Sequence, residues 1–299
     1  MLIDQLLHGD MKALSRVISL VENESGNYYD LLMQLPQCDV KITGITGPPG
    51  VGKSTITDAL ISEFAARNKK IGVLCVDPSS PFNHGALLGD RIRMSEWYSH
   101  PNVFIRSLAT RGSLGGLHPK IIEITDVMKA AGFNHIIIET VGVGQSEVEI
   151  AGLADTTVVV MVPESGDEIQ TMKAGLMEIA DIFVVNKADH AEADLFAKNL
   201  RLMLAPAFHH HHAEIPVLKT VATQKQGINE LFEKILAHQE LLQPTEKKSW
   251  LLAEKAYLLI QQKRMKAVNK LLLKEEIEQL MKQDNRFNLY IFTQQYLHD

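Results

Sequence analysis

The sequence predicts an α/β fold: a mainly parallel sheet covered by helices on both faces, with helical extensions at the N- and C-termini. Three observations predict it. Short apolar runs alternate with helix-spaced segments from Lys41 to Gln239, the pattern of successive βαβ units. Between the first run and the first helical segment lies Gly47-Pro48-Pro49-Gly50-Val51-Gly52-Lys53-Ser54, which fits the phosphate-loop pattern G-x-x-x-x-G-K-[ST]. Outside residues 41–243 the strand-like runs stop and helical spacing takes over.

Residues 1–40 read as a helical extension that packs on the main domain. Leu2, Ile3, Leu6 and Leu7, then Leu14, Val17, Ile18 and Val21, recur at helical spacing. Glu24-Ser25-Gly26-Asn27 breaks the pattern, and Tyr28 to Leu35 resumes it before Pro36. In residues 41–243, strands are expected at Lys41–Thr46, Ile71–Val76, Val103–Ile105, His135–Ile138, Thr157–Val162, Ile182–Val185 and Pro216–Leu218. Helices are expected at Thr55–Arg67, Leu88–Tyr98, Pro119–Ala131, Glu147–Leu153, Glu168–Ile179, Glu192–Leu204 and Ile228–Gln239. In such a sheet the ligand sits at the carboxyl ends of the strands. Residues 244–299 form a C-terminal extension, helical over Trp250–Arg264 and Lys270–Met281, with Leu273, Ile277, Leu280 and Met281 in a stripe. Phe287, Tyr290, Ile291, Phe292 and Leu297 follow, an apolar load that either folds back or packs against a second copy.

Composition narrows the function classes. The 299 residues suffice for one large domain with appendages or for two domains. A net charge of −6 with no basic stripe argues against a nucleic-acid partner. Cys38 and Cys75 lack metal-ligand spacing and suit a reducing compartment. The first ten residues lack a basic-then-apolar leader design, and no apolar run approaches the roughly 20 residues of a membrane span. A soluble, cytoplasmic protein without a membrane partner is expected.

The motif residues name the ligand. In the phosphate loop, Gly47, Pro49, Gly50, Val51, Gly52 and Thr55 form the cradle, whose backbone N–H groups turn toward a polyphosphate at a helix N-terminus. Lys53 reaches the β- and γ-phosphates, and the Ser54 hydroxyl holds Mg²⁺. Asn186-Lys187-Ala188-Asp189, after the run Ile182–Val185, matches the guanine-reading N-K-x-D. The Asp189 carboxylate can accept from both N1–H and N2–H₂ of guanine, a donor pair adenine does not offer. Thr220-Val221-Ala222 stands where a backbone contact to the guanine oxygen is expected. Glu139-Thr140-Val141-Gly142 resembles the D-x-x-G switch with Glu in place of Asp: Glu139 would hold Mg²⁺ through water and the Gly142 N–H would sense the γ-phosphate. Val143 follows where a water-orienting Gln is usual, so hydrolysis is expected to be slow, with Gln145 as a substitute. Asp77, ending the run Ile71–Val76, could bind Mg²⁺-linked water, act as a base, or simply cap a turn. Asp90 reads from chemistry alone as a solvated helix charge.

Together the segments Gly47–Thr55, Asp77–Pro81, Gly89–Met94, Arg111-Gly112 with Gly115-Gly116-Leu117, Glu139–Glu147, Gly166-Asp167 with Gln170, and Lys173–Asp189 resemble the MeaB/ArgK-like family. These are methylmalonyl-CoA mutase-associated P-loop GTPases of the SIMIBI class, and the likeness covers about residues 40–240. The resemblance implies that Asp77 and Asp90 are Mg²⁺ or switch residues. It also implies that residues 163–173, with Asp167, Gln170 and Lys173, form a further switch. Family members are homodimeric G-protein chaperones that bind GTP and GDP, gate cofactor loading and protect an adenosylcobalamin-dependent mutase, with C-terminal helices aiding assembly. Three departures stand out: Asn83-His84 for the usual Thr-Gly, Glu164-Ser165 for a Gly-small pair, and the run His209–His212. That run is the sole support for a nickel-insertion metallochaperone, which lacks its Cys/His cluster here. The third reading, a kinase linked to amino-acid transport, runs against the N-K-x-D motif.

Overall fold

The computed structural model describes residues 2–77, 94–110, 117–140, 146–163, 174–204, 215–241, 246–265, 268–283 and 287–296. The chain divides into two compact units, Met1–Thr245 and Glu246–Asp299. The first contains seven strands: β1 (Lys41–Thr46), β2 (Ile71–Asp77), β3 (Val103–Ala109), β4 (His135–Glu139), β5 (Thr156–Met161), β6 (Ile182–Val185) and β7 (Val217–Lys219). They pair in parallel in the order β3-β2-β4-β1-β5-β6-β7, so the predicted parallel sheet is present with β1 at its centre.

Every residue of β4, β5 and β6 is buried, which is why these strands read as continuous apolar runs. Their alternate side chains serve two cores. Val158, Val160, Ile182 and Val184 face a cluster with Ile56, Leu60 and Phe64 of α4 (Lys53–Ala66), which also holds Leu231, Phe232 and Ile235. Val159, Met161, Phe183 and Val185 face the other way, toward Phe196, Ala197, Leu200 and Leu204. Among the described residues, the helices after α4 in this unit are α5 (Ile121–Ala130), α6 (Ser146–Leu153), α7 (Ala174–Ile179), α8 (Ala193–Leu204) and α9 (Ile228–Glu240). Helices thus cover both faces.

Before the sheet come α1 (Leu2–Leu7), α2 (Met11–Glu22) and α3 (Tyr28–Met33). Helical spacing alone marks no boundary between Leu7 and Leu14, but Gly9 has φ +79° and the Asp10 carboxylate caps α2, accepting from the Lys12 and Ala13 amides at 2.8 and 2.7 Å. Leu14, Val17, Ile18 and Val21 of α2 are buried, α2 packs on α5, and its Glu22 accepts from Arg106 of β3 at 2.7 Å. β3 runs four residues past the expected Ile105, because at the sheet edge it tolerates the half-buried Arg106 and Ser107, one on each face. β7 sits one residue later than expected, leaving Pro216 ahead of it to accept from the Phe183 amide. Of the helix expected at Leu88–Tyr98, the described part is a 3₁₀ turn, Ser95–Ser99. Of Glu168–Ile179, the described part is α7.

The second unit is α10 (Glu246–Arg264), α11 (Lys270–Gln283) and α12 (Leu289–Gln294). Asn288 caps α12, accepting from the Tyr290 and Ile291 amides, a helix that the apolar run alone does not reveal. Among the described residues no helix is long and apolar enough to cross a membrane.

Candidate functional site

The sheet order reverses at β1: the chain first fills the β4-β2-β3 side, with β4 returning to lie beside β1, and then builds outward through β5, β6 and β7. Such a switch point opens a crevice at the strands' carboxyl ends. A cavity of about 610 Å³ lies there. It brings together Pro49, Gly50, Gly52, Lys53, Ser54 and Thr55 of the loop after β1, Glu139 at the end of β4, Asn186, Lys187 and Asp189 after β6, and Ala222 after β7. Three expected residues do not line it. Val51 and Thr220 are buried behind it, and Gly47 sits at the root of the loop.

The loop's shape follows from two glycines. Gly47 has φ +139°, and a Cβ there would lie 2.1 Å from the Val160 carbonyl oxygen. Gly52, in the left-handed region at φ +93°, precedes α4, and a Cβ there would lie 2.4 Å from Asn186 Nδ2. Only glycine fits both the conformation and the close approach. Lys53 folds back over the loop, its Nζ donating to the Gly47 and Pro48 carbonyls at 2.8 Å each. That places a cation in the first turn of α4, whose N-terminus also favours an anion.

Opposite the loop, the buried Glu139 carboxylate spans from β4 to α4. Ser54 Oγ donates to its Oε1 at 2.5 Å and Thr57 Oγ1 to its Oε2 at 2.8 Å. Hydroxyl and carboxylate oxygens are the hard donors Mg²⁺ takes, and Mg²⁺ is held by one or two such side chains plus phosphates. Ser54 and Glu139 could supply such donors to an ion at this end of the cavity.

At the other end, Asn186 acts inside the protein. Its Nδ2 donates to the Val51 carbonyl at 2.9 Å, and its Oδ1 accepts from Thr220 Oγ1 at 3.0 Å and the Ala222 amide at 3.2 Å. In the segment Thr220-Val221-Ala222, where a backbone contact to the guanine oxygen is expected, the Ala222 amide is engaged by Asn186, while Thr220 supports that side chain from behind. Asn186 ties the phosphate loop to the β6 and β7 loops. Lys187 takes φ +55° and turns the chain so that Asp189 stands exposed at the cavity's edge.

Sequence reasoning missed Thr57, Cys75, His190 and Thr223, the last three of which line the cavity. Thr57 carried a signal, lying three residues after Ser54 on the same helix face. Asp90, Gly142, Gln145, Asp167, Gln170, Lys173 and His209–His212 lie outside the described residues, as does the side chain of Asp77.

A phosphate loop at the switch point of a parallel sheet, with N-K-x-D at the far end of one cavity, defines a P-loop GTPase. Within that class the chain belongs to the MeaB family: the model described as methylmalonyl Co-A mutase-associated GTPase MeaB matches residues 14–278. The chain is 49% identical over 247 residues to a protein of Pyrococcus abyssi that bears a GTPase's name, spanning 81% of this chain and 76% of that one. It is 35% identical to the GTPase ArgK of Escherichia coli, over 78% of this chain and 74% of that one. It is 40% identical to the mitochondrial methylmalonic aciduria type A homolog of Caenorhabditis elegans, over 66% and 53% respectively. Among solved structures, a LAO/AO transport system kinase matches with TM-score 0.66 and 25% identity, over 99% of this chain and 95% of that one.

Proposed function

We propose that the protein binds GTP and GDP with Mg²⁺, hydrolyses GTP slowly by itself, and serves as a G-protein chaperone of an adenosylcobalamin-dependent acyl-CoA mutase. The observation that carries the nucleotide reading is one cavity with Lys53 and Ser54 at one end and Asp189 at the other. Lys53, released from the Gly47 and Pro48 carbonyls, neutralises the β- and γ-phosphates. Asp189 selects guanine. Ser54 and Glu139 hold the metal, joined by Asp77 and Asp90. When bound there, Mg²⁺ would neutralise part of the negative charge of the phosphates. The Gly142 amide senses the γ-phosphate, and Asp77 or Gln145 orients the attacking water in place of a residue that Val143 cannot replace.

The family name and the relative named for methylmalonic aciduria support the mutase as partner. In this reading residues 41–243 are the nucleotide domain and residues 244–299 the arm of a cytoplasmic homodimer. Asp167, Gln170 and Lys173 transmit the nucleotide state to the mutase, a coupling that linkage makes reciprocal. Lys53→Ala should abolish turnover, which is expected well below the ~1–10³ s⁻¹ usual for enzymes. Lys173→Ala should spare GDP affinity and shrink the mutase-stimulated rise in hydrolysis. An equal loss of basal and stimulated rates would place Lys173 in the chemistry instead. The solved relative's name favours a second reading, phosphoryl transfer to another acceptor. Quantitative release of inorganic phosphate from GTP, without added acceptor, would exclude it.

A further inference from the structure

We infer that Thr57 is a positioning residue that sets the Glu139 carboxylate for the metal, an inference that rests on the Mg²⁺–guanine nucleotide reading above. The switch pattern usually begins with Asp. Here Glu139 adds a methylene and one more rotatable bond, so its carboxylate can reach α4 but needs something to fix it there. Ser54 and Thr57 lie three residues apart on one face of α4, and each donates to a different oxygen of that carboxylate, at 2.5 and 2.8 Å. Thr57 is fully buried at 0% exposure and Glu139 is 5% exposed. With Oε2 held by Thr57, Oε1 is turned toward Ser54, the hydroxyl assigned to Mg²⁺. A buried carboxylate without that donor would gain rotational freedom and lose a charge-assisted hydrogen bond. Losing a partner of this kind, one step removed from the ion, costs on the order of 10–100-fold in metal affinity.

The test is the Mg²⁺ dependence of GDP binding, measured by calorimetry in EDTA and across a Mg²⁺ titration. Thr57→Val keeps the shape and branching but removes the hydroxyl; Thr57→Ser keeps the hydroxyl and removes the methyl. Thr57→Val should raise the Mg²⁺ midpoint by about tenfold or more, with GDP affinity in EDTA unchanged. Thr57→Ser should return the midpoint to that of the natural protein. If Thr57→Val does not fold, Thr57→Ala removes the same donor without added bulk and is read in the same way. An unshifted midpoint, a Thr57→Ser midpoint displaced as far as that of Thr57→Val, or a parallel fall of GDP affinity in EDTA would overturn the inference. A natural protein that binds no GDP, or binds it indifferently to Mg²⁺, would instead overturn the reading beneath it, and the inference with it.

Discussion

Gly47 and Gly50 have positive φ within one loop, yet their surroundings differ. A Cβ at Gly47 would collide with the Val160 backbone, whereas at Gly50 nothing lies within 4 Å. Gly50→Ala should therefore cost about 1–2 kcal/mol of backbone strain, and Gly47→Ala clearly more, as urea unfolding will show. His135 makes a different kind of residue-scale prediction. It is buried, stacked on Phe64 at 4.6 Å, and its Nε2 lies 2.9 Å from Thr43 Oγ1, which Gln239 also approaches. Burial lowers its pKa from 6.5 to about 3, so the folded ring stays neutral where the unfolded one protonates. Its contribution is complete above pH 6.5 and drains away as pH falls toward 3, by at most about 1.4 kcal/mol per pH unit. Replacing His135 with Gln should flatten the urea midpoint's pH dependence in that window relative to the natural protein. Lys53, Ser54 and Asp189 were legible because their motifs fix spacing along one stretch of chain. Thr57 and the internal role of Asn186 were not, because both depend on which side chains cross from one element to another.

Elements buried on both faces were the most legible. β1 and β6 stand at the expected bounds: β6 is an unbroken apolar run buried on both faces, and β1 is fixed by the phosphate loop that follows it. β3 extends beyond its apolar start, since the sheet edge admits Arg106, and that edge position cannot be seen in the strand's own residues. The Gly9-Asp10 boundary was legible in principle, as a glycine at a helix end followed by a capping carboxylate. Asp10→Ala should lower stability by about 1 kcal/mol. Leu14→Ala, which empties a fully buried position on α2, should lower it by about 2–5 kcal/mol. Chemical denaturation of both variants will check whether the N-terminal helices belong to the cooperative unit, as the burial of α2 requires.

At the scale of the molecule, strand order was the least legible feature. The motif implies β1 near a ligand, but that β4 and β5 flank it is decided by crossovers no single segment encodes. The proposed dimer also belongs to this scale. In the second unit Trp250, Tyr290 and Ile291 are exposed at 70%, 82% and 68%. Tyr290→Glu combined with Ile291→Glu should convert the dimer to monomer in light scattering while GDP binding persists. The central claim is a guanine nucleotide site spanning the phosphate loop and Asp189, and calorimetric titration of GDP against ADP and XDP tests it most directly. The natural protein should bind GDP and reject ADP, and Asp189→Asn should exchange guanine for xanthine, whose group at C2 accepts where guanine donates. Equal binding of GDP and ADP, or a guanine preference untouched by Asp189→Asn, would contradict the account.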